Sequence, residues 1–111
     1  MWWYGYPALM KGFIDRVFLP GVTFKYQPKS PFPEKLLKGK SARIIMTSDT
    51  PYWYYKLVMG SPVSNQLKKG TLEFCGISPV KTTYIAPIKK SSGKFREAWL
   101  DNVYKLGVRQ L

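Results

Sequence analysis

Between Ala42 and Gly107 strand and helix patterns take turns along the chain, and that alternation constrains the fold more than any other feature. Ala42-Arg43-Ile44-Ile45-Met46-Thr47 is a continuous, mostly apolar run of the kind a parallel sheet buries on both faces. Ser64 to Cys75 follows at helical spacing, with Leu67, Thr71, Phe74 and Cys75 on one face and Gly76 where a helix C-cap favours glycine. Val80 to Ile85 reads as a second strand, closed by Pro87. A last helix carries Phe95, Trp99, Val103 and Leu106 as its buried stripe, with Ser92 as N-cap and Gly107 at its end. Strands alternating with helices imply right-handed crossovers and a parallel sheet, hence an α/β fold. Two strands are too few for a free-standing doubly wound sheet. The expectation is therefore that the front of a larger domain is missing.

The N-terminal stretch is the other organising feature. Trp2-Trp3-Tyr4 leads into Gly5 and then Pro7, which suits a first helical turn because its missing N–H has no partner there. This reads as the mouth of a strand turning into a helix. Aromatic walls beside a helix start make a place for a flat ligand, although the same aromatics also serve as core or interface residues. From Pro7 to Leu19, Leu9, Met10, Phe13, Ile14, Val17 and Phe18 recur at helical spacing, and Leu19-Pro20-Gly21 stops the helix.

A long excursion separates this helix from the first strand, from about residue 20 to 41. Pro28, Pro31 and Pro33 disfavour regular structure there, while Val22-Thr23-Phe24-Lys25-Tyr26 has the character of a short hairpin arm or extended edge. After the Ala42–Thr47 strand, the polar cluster Thr47-Ser48-Asp49-Thr50-Pro51 forms a loop. In open α/β sheets ligands collect beyond the carboxyl ends of the strands, which is where this loop lies. A second aromatic cluster, Tyr52-Trp53-Tyr54-Tyr55, comes next and also suits a lid or a dimer interface.

Composition removes several kinds of chemistry. There is no histidine, so Ser-His-Asp and Cys-His triads are excluded and zinc or iron sites are disfavoured. Cys75 is alone, which rules out an internal disulfide and suits a reducing, cytoplasmic setting. No apolar run approaches the ~20 residues of a membrane span. Lys and Arg total 18 against 6 Asp and Glu, a formal charge of +12 that favours anionic partners. The basic residues are scattered in ones and twos, as at Lys68-Lys69 and Lys89-Lys90, so a solvated basic surface accounts for them better than a nucleic-acid groove.

Three segments carry a resemblance to a known family. They are Trp2-Trp3-Tyr4-Gly5-Tyr6-Pro7-Ala8-Leu9-Met10-Lys11-Gly12-Phe13-Ile14-Asp15-Arg16-Val17-Phe18, then Thr47-Ser48, and Leu72-Glu73-Phe74-Cys75-Gly76. In these the chain resembles the flavodoxin-fold NAD(P)H:quinone oxidoreductases, the DT-diaphorase-like flavoproteins. The similarity matches the C-terminal portion of that family's domain. It implies a partial flavodoxin-like three-layer fold over residues 1–111, with a short parallel sheet and the N-terminal strands missing.

The resemblance also implies a flavin site. Trp2, Trp3, Tyr4 and Gly5 would line the isoalloxazine, largely through backbone groups, and Thr47, Ser48, Asp49 and Thr50 would form the next loop on its pyrimidine side. Tyr54 or Tyr55 would stand near the ring, where the family uses a tyrosine to stabilise charge after hydride arrives. The implied cofactor is FMN or FAD, with NAD(P)H as electron donor, a quinone as acceptor and a homodimer as the assembly. The family's usual Thr-Thr-Gly-Gly loop reads Thr47-Ser48-Asp49-Thr50 here, and no histidine stands beside the tyrosine. The family's first strand, phosphate-binding loop and following helix have no counterpart in these residues. The expectation for this polypeptide alone is weak or absent flavin binding and weak or no activity. The competing classes are a basic, aromatic-rich module that stacks nucleic-acid bases, and an interaction subunit that completes its sheet with another chain.

Overall fold

The computed structural model describes residues 1–110, which form two compact units. The first comprises Met1–Ala42 and Pro62–Val80; the second comprises Arg43–Ser61 and the chain from Lys81 onward.

In the first unit, helix α1 spans Ala8–Val17 with Pro7 as its N-cap residue, so proline precedes the helix and does not occupy its first position. The Lys11 N–H donates to the Pro7 carbonyl at 3.0 Å, closing the first turn. Of the apolar residues at helical spacing only Ile14 is buried; Leu9 is 89% exposed and Phe13 62%. The expected long excursion is held by a two-residue antiparallel ladder, β1 (Phe24–Lys25) on β2 (Glu34–Lys35), with Phe24 opposite Lys35. That ladder is fixed to the helical segment that follows in space. Leu37 N–H donates to the Cys75 carbonyl at 2.9 Å, Lys35 Nζ to the Glu73 carbonyl at 2.8 Å, and the Phe24 ring meets Phe74 edge-on at 5.2 Å. The core of this unit is Ile14, Thr23, Val63, Leu67, Cys75, Ile77 and Val80.

The segment expected as an α-helix from Ser64 is helical but wound wider. It forms a π-helix, π2 (Ser64–Glu73), with i→i+5 bonding. Thr71 Oγ1 donates to the Gln66 carbonyl and Ile77 N–H to that of Leu72, each across five residues. Hydrophobic spacing does not distinguish this widening from an ordinary helix, since both place Leu67 and Cys75 inward. Gly76 ends the segment at φ +107°, and a Cβ there would lie 3.0 Å from the Lys35 Cβ and 3.1 Å from the Lys38 nitrogen. Only glycine fits both the backbone angle and the approach of the β2 segment.

β3 (Ala42–Thr47) and β4 (Val80–Ile85), each in the second unit but for its first residue, are neighbours in one sheet. Ala42 N–H donates to the Pro79 carbonyl at one end and Ser48 N–H to the Ile85 carbonyl at the other, the same residue offset in the same direction. The pair is therefore parallel, as expected. Burial in β3 is one-sided, however. Ile44 and Met46 are buried, whereas Ile45 is 46% exposed. The apolar run had implied burial on both faces; the face of Ile45 is instead an open groove. Tyr52 begins a helical turn that widens into π1 (Tyr54–Val58), which the aromatic cluster had not signalled. Helix α2 (Gly93–Val108) starts where expected, with Phe95 N–H donating to the Ser92 hydroxyl at 3.1 Å, and runs through Gly107 without breaking. No helix among the described residues is long and apolar enough to cross a membrane.

Candidate functional site

The residues singled out in the sequence fall in both units, each with its own local geometry. In the first, Trp2 and Gly5 close a tight turn. Trp2 N–H donates to the Gly5 carbonyl at 3.0 Å and Gly5 N–H to the Trp2 carbonyl at 2.8 Å. The two central residues, Trp3 and Tyr4, both have left-handed backbones, with φ of 47° and 59°. This is the geometry of a type I′ turn, normally filled by Asn-Gly. An aromatic residue held there is strained by roughly 1–2 kcal/mol. Trp3 is fully exposed, so no burial compensates for its strain. Strained, exposed aromatics of this kind concentrate where a ligand is bound. Nothing in the sequence Trp-Trp-Tyr-Gly announces the turn.

Behind it, Tyr6 is partly buried, and that burial raises its pKa despite the lowering effect of the Lys11 charge. Lys11 pairs with Asp15 at 2.6 Å across one helical turn, and this bond raises the lysine pKa.

In the second unit, the loop after β3 is a small hydrogen-bonded framework. Thr50 N–H donates to the Ser48 hydroxyl at 3.1 Å, and the Tyr84 hydroxyl donates to the Thr50 carbonyl at 2.8 Å. The Asp49 carboxylate accepts from the Ile88 and Lys89 N–H groups at 3.0 and 2.5 Å. Its charge is thereby spent on tying the loop after β3 to the loop after β4. The loop thus reaches its shape through a side chain. The Asp49 N–H has no acceptor among the described residues, and Thr47 is exposed at the carboxyl end of β3. That leaves one backbone donor beside hydroxyls at the place where an α/β sheet receives ligands.

The two tyrosines that follow have different fates. Tyr55 is 1% exposed, stacks on Tyr84 at a centroid distance of 4.9 Å and directs its hydroxyl to the Met46 sulfur at 3.9 Å. Tyr54 is half-buried and meets Trp53 edge-on at 5.7 Å. Tyr84, which sequence reasoning assigned only to a strand, holds both the loop and Tyr55 in place. Its signal was available: a tyrosine at the carboxyl end of the second parallel strand. Among the described residues no group of three or more His, Cys, Asp or Glu is placed to hold a metal ion.

The donors present suit a flavin ring, whose pyrimidine edge takes backbone N–H and hydroxyl partners and whose faces take aromatics. A sequence model described as the flavodoxin-like fold matches residues 1–106. The chain belongs to this flavodoxin-like family. Among similar proteins is one named an uncharacterized NAD(P)H oxidoreductase from Haemophilus influenzae, 29% identical over 102 residues, covering 91% of this chain and 50% of the relative. An FMN-dependent NADH:quinone oxidoreductase 3 of Bacillus anthracis is 34% identical over 114 residues, covering 98% of this chain and 52% of the relative. The crystal structure of Smu.1420 from Streptococcus mutans superposes with a TM-score of 0.83 at 40% identity, covering 96% of this chain and 54% of that one. This flavodoxin-like chain spans about half the length of the relatives it matches.

Proposed function

We propose that this flavodoxin-like chain carries ring-contacting residues of an FMN-dependent NAD(P)H:quinone oxidoreductase, working as a cytoplasmic homodimer. The observation that carries the reading is the Ser48–Thr50 loop at the carboxyl end of parallel β3, rigid through Asp49 and Tyr84 yet with the Asp49 N–H undirected. Two of the proteins named above carry the name oxidoreductase, one of them as FMN-dependent, which favours this reading over base stacking. When bound, FMN supplies two-electron chemistry, accepting hydride from a nicotinamide and passing it to a quinone-type acceptor.

The residues of this chain have simpler tasks. Thr47, Ser48, Asp49 and Thr50 border the pyrimidine edge, to which the Asp49 N–H donates. Trp2, Trp3 and Tyr4 supply aromatic surface and, with Gly5, the backbone groups of their turn. Tyr54, with more exposed surface than Tyr55, takes the role of stabilising negative charge next to the ring. The homodimer reading is supported by the exposed stripe Leu9, Phe13 and Val17, spaced one helical turn apart on α1. The single reduced Cys75 suits a cytoplasmic setting.

None of these residues is assigned to the flavin phosphate, so FMN and riboflavin should bind alike. A titration of each, followed by flavin fluorescence, should give dissociation constants weaker than about 1 µM and within about threefold of each other. Sub-micromolar FMN binding with a strong preference over riboflavin would contradict the assignment.

A further inference from the structure

A methionine and three tyrosines of the second unit stand in contact from its core out to water. The Tyr55 hydroxyl donates to the Met46 sulfur at 3.9 Å. The Tyr55 ring stacks on Tyr84 at a centroid distance of 4.9 Å with 27° between the planes, and Tyr84 meets Tyr52 at 5.4 Å. Met46 is 6% exposed and Tyr55 1%, Tyr84 is half-buried, and Tyr52 is 53% exposed. Packing alone does not ask for this composition. Phenylalanine at 55 or 84 would supply the same ring surface, whereas phenols and a thioether are side chains that give up an electron readily.

Proton release sets the direction. An oxidised phenol is a strong acid and settles as a neutral phenoxyl radical where its proton has somewhere to go. The inner hydroxyls donate to weak bases, Tyr55 to a thioether sulfur and Tyr84 to the Thr50 carbonyl at 2.8 Å. Tyr52 makes no side-chain hydrogen bond among the described residues and is open to water, which takes the proton. We propose that Tyr55, Tyr84 and Tyr52 form a one-electron relay that carries oxidising equivalents from the interior around Met46 to solvent, sparing the buried thioether. The oxidant is a small one-electron acceptor such as the carbonate radical anion, which is reduced to carbonate. The electron vacancy passes from Tyr55 to Tyr84 to Tyr52 by exchange between rings, with no bond made or broken, and Tyr52 then gives its phenolic proton to water. A diffusing thiol returns a hydrogen atom to Tyr52 and leaves as a thiyl radical, two of which couple to a disulfide. The relay consists of this chain's own side chains and needs no flavin, so it fails or stands apart from the quinone-reductase reading.

The test replaces Tyr55 in the full chain by 3-aminotyrosine, which is easier to oxidise than tyrosine, and generates carbonate radicals by pulse radiolysis. Electron exchange runs both ways, so a vacancy made at exposed Tyr52 now travels inward and settles on the aminotyrosine, whose radical has its own absorption band. The expected result is a band that grows in after the carbonate radicals are consumed, at a rate independent of protein concentration. It should be lost in Tyr84→Phe and in Tyr52→Phe, and kept in Tyr104→Phe, a substitution at an exposed tyrosine outside the relay. Each phenylalanine keeps the ring, and Tyr52→Phe removes no side-chain hydrogen bond, so that variant stays folded even if Tyr84→Phe does not; a circular dichroism melt checks both. No delayed band in the parent chain, a band undiminished in either relay variant, or an equal loss in Tyr104→Phe would each overturn the proposal.

Discussion

Replacing Asp49 by alanine removes a carboxylate that accepts two backbone N–H groups, those of Ile88 and Lys89. Hydrogen bonds to a charged group contribute about 1.5–3 kcal/mol each when sheltered. Asp49 is exposed, so solvent screening lowers that figure, and about 2 kcal/mol for the pair is the expected scale. The loss falls first on the local opening of the loop after β4, since these two bonds are what Asp49 contributes to joining the loops. Amide hydrogen exchange at Ile88 and Lys89 reads it directly: 2 kcal/mol corresponds to exchange faster by roughly 30-fold. Asp49→Asn keeps a side-chain oxygen at the same place and should recover most of the protection. If the alanine variant leaves both amides as protected as before, or if asparagine performs no better than alanine, the framework described for this loop is wrong.

Other expectations concern strain, packing and pH. Trp3→Gly relieves a left-handed tryptophan that has no burial to lose, so thermal stability should rise by about 1 kcal/mol while riboflavin affinity falls. A parallel fall in stability would show that the turn is not strained. Gly76→Ala places a Cβ against Lys35 and Lys38 at φ +107° and should lower the denaturation midpoint by an amount equivalent to about 2 kcal/mol or more; a neutral result would refute the close approach. For Tyr6 and Lys11 the folded pKa is raised above the unfolded one. The folded state then binds protons more tightly, so both contributions are present below the unfolded pKa near 10 and are lost as pH rises through the folded values. Urea midpoints should therefore drop above pH ~10, and less steeply in Tyr6→Phe. A midpoint that rises over that range would reverse the sign.

Much of the scaffold was legible because it rests on local chemistry. The strands Ala42–Thr47 and Val80–Ile85, the N-cap at Ser92 and the glycine stop at Gly76 each follow from one or two residues whose physical demands are specific. What stayed hidden depends on partners distant in sequence. The π-winding of Ser64–Glu73 leaves the inward positions of Leu67 and Cys75 unchanged, so hydrophobic period carries no trace of it. The ladder of Phe24–Lys25 on Glu34–Lys35 depends on a Gly76 packed 41 residues downstream of Lys35. Apolar periodicity also overstated burial. Leu9, Phe13 and Val17 on α1, and Ile45 on β3, have the pattern of core residues but lie open to solvent.

The candidate site divides along the same line. The loop after β3 was expected from the position where a parallel strand ends, yet the roles of Asp49 and Tyr84 emerged only from the contacts they make across 39 and 34 residues. Tyr54 and Tyr55 are neighbours of identical type, and only packing against Tyr84 separates the buried one from its half-exposed partner.

The most direct examination of the central claim is a map of amide chemical shifts on addition of riboflavin to the isotopically labelled chain. The account predicts the largest changes at Trp2–Gly5, at Thr47–Thr50 with Asp49 foremost, and at Tyr54. Changes confined to the Phe24–Lys35 ladder or to α2, with Asp49 and the Trp3-Tyr4 turn unmoved, would contradict it.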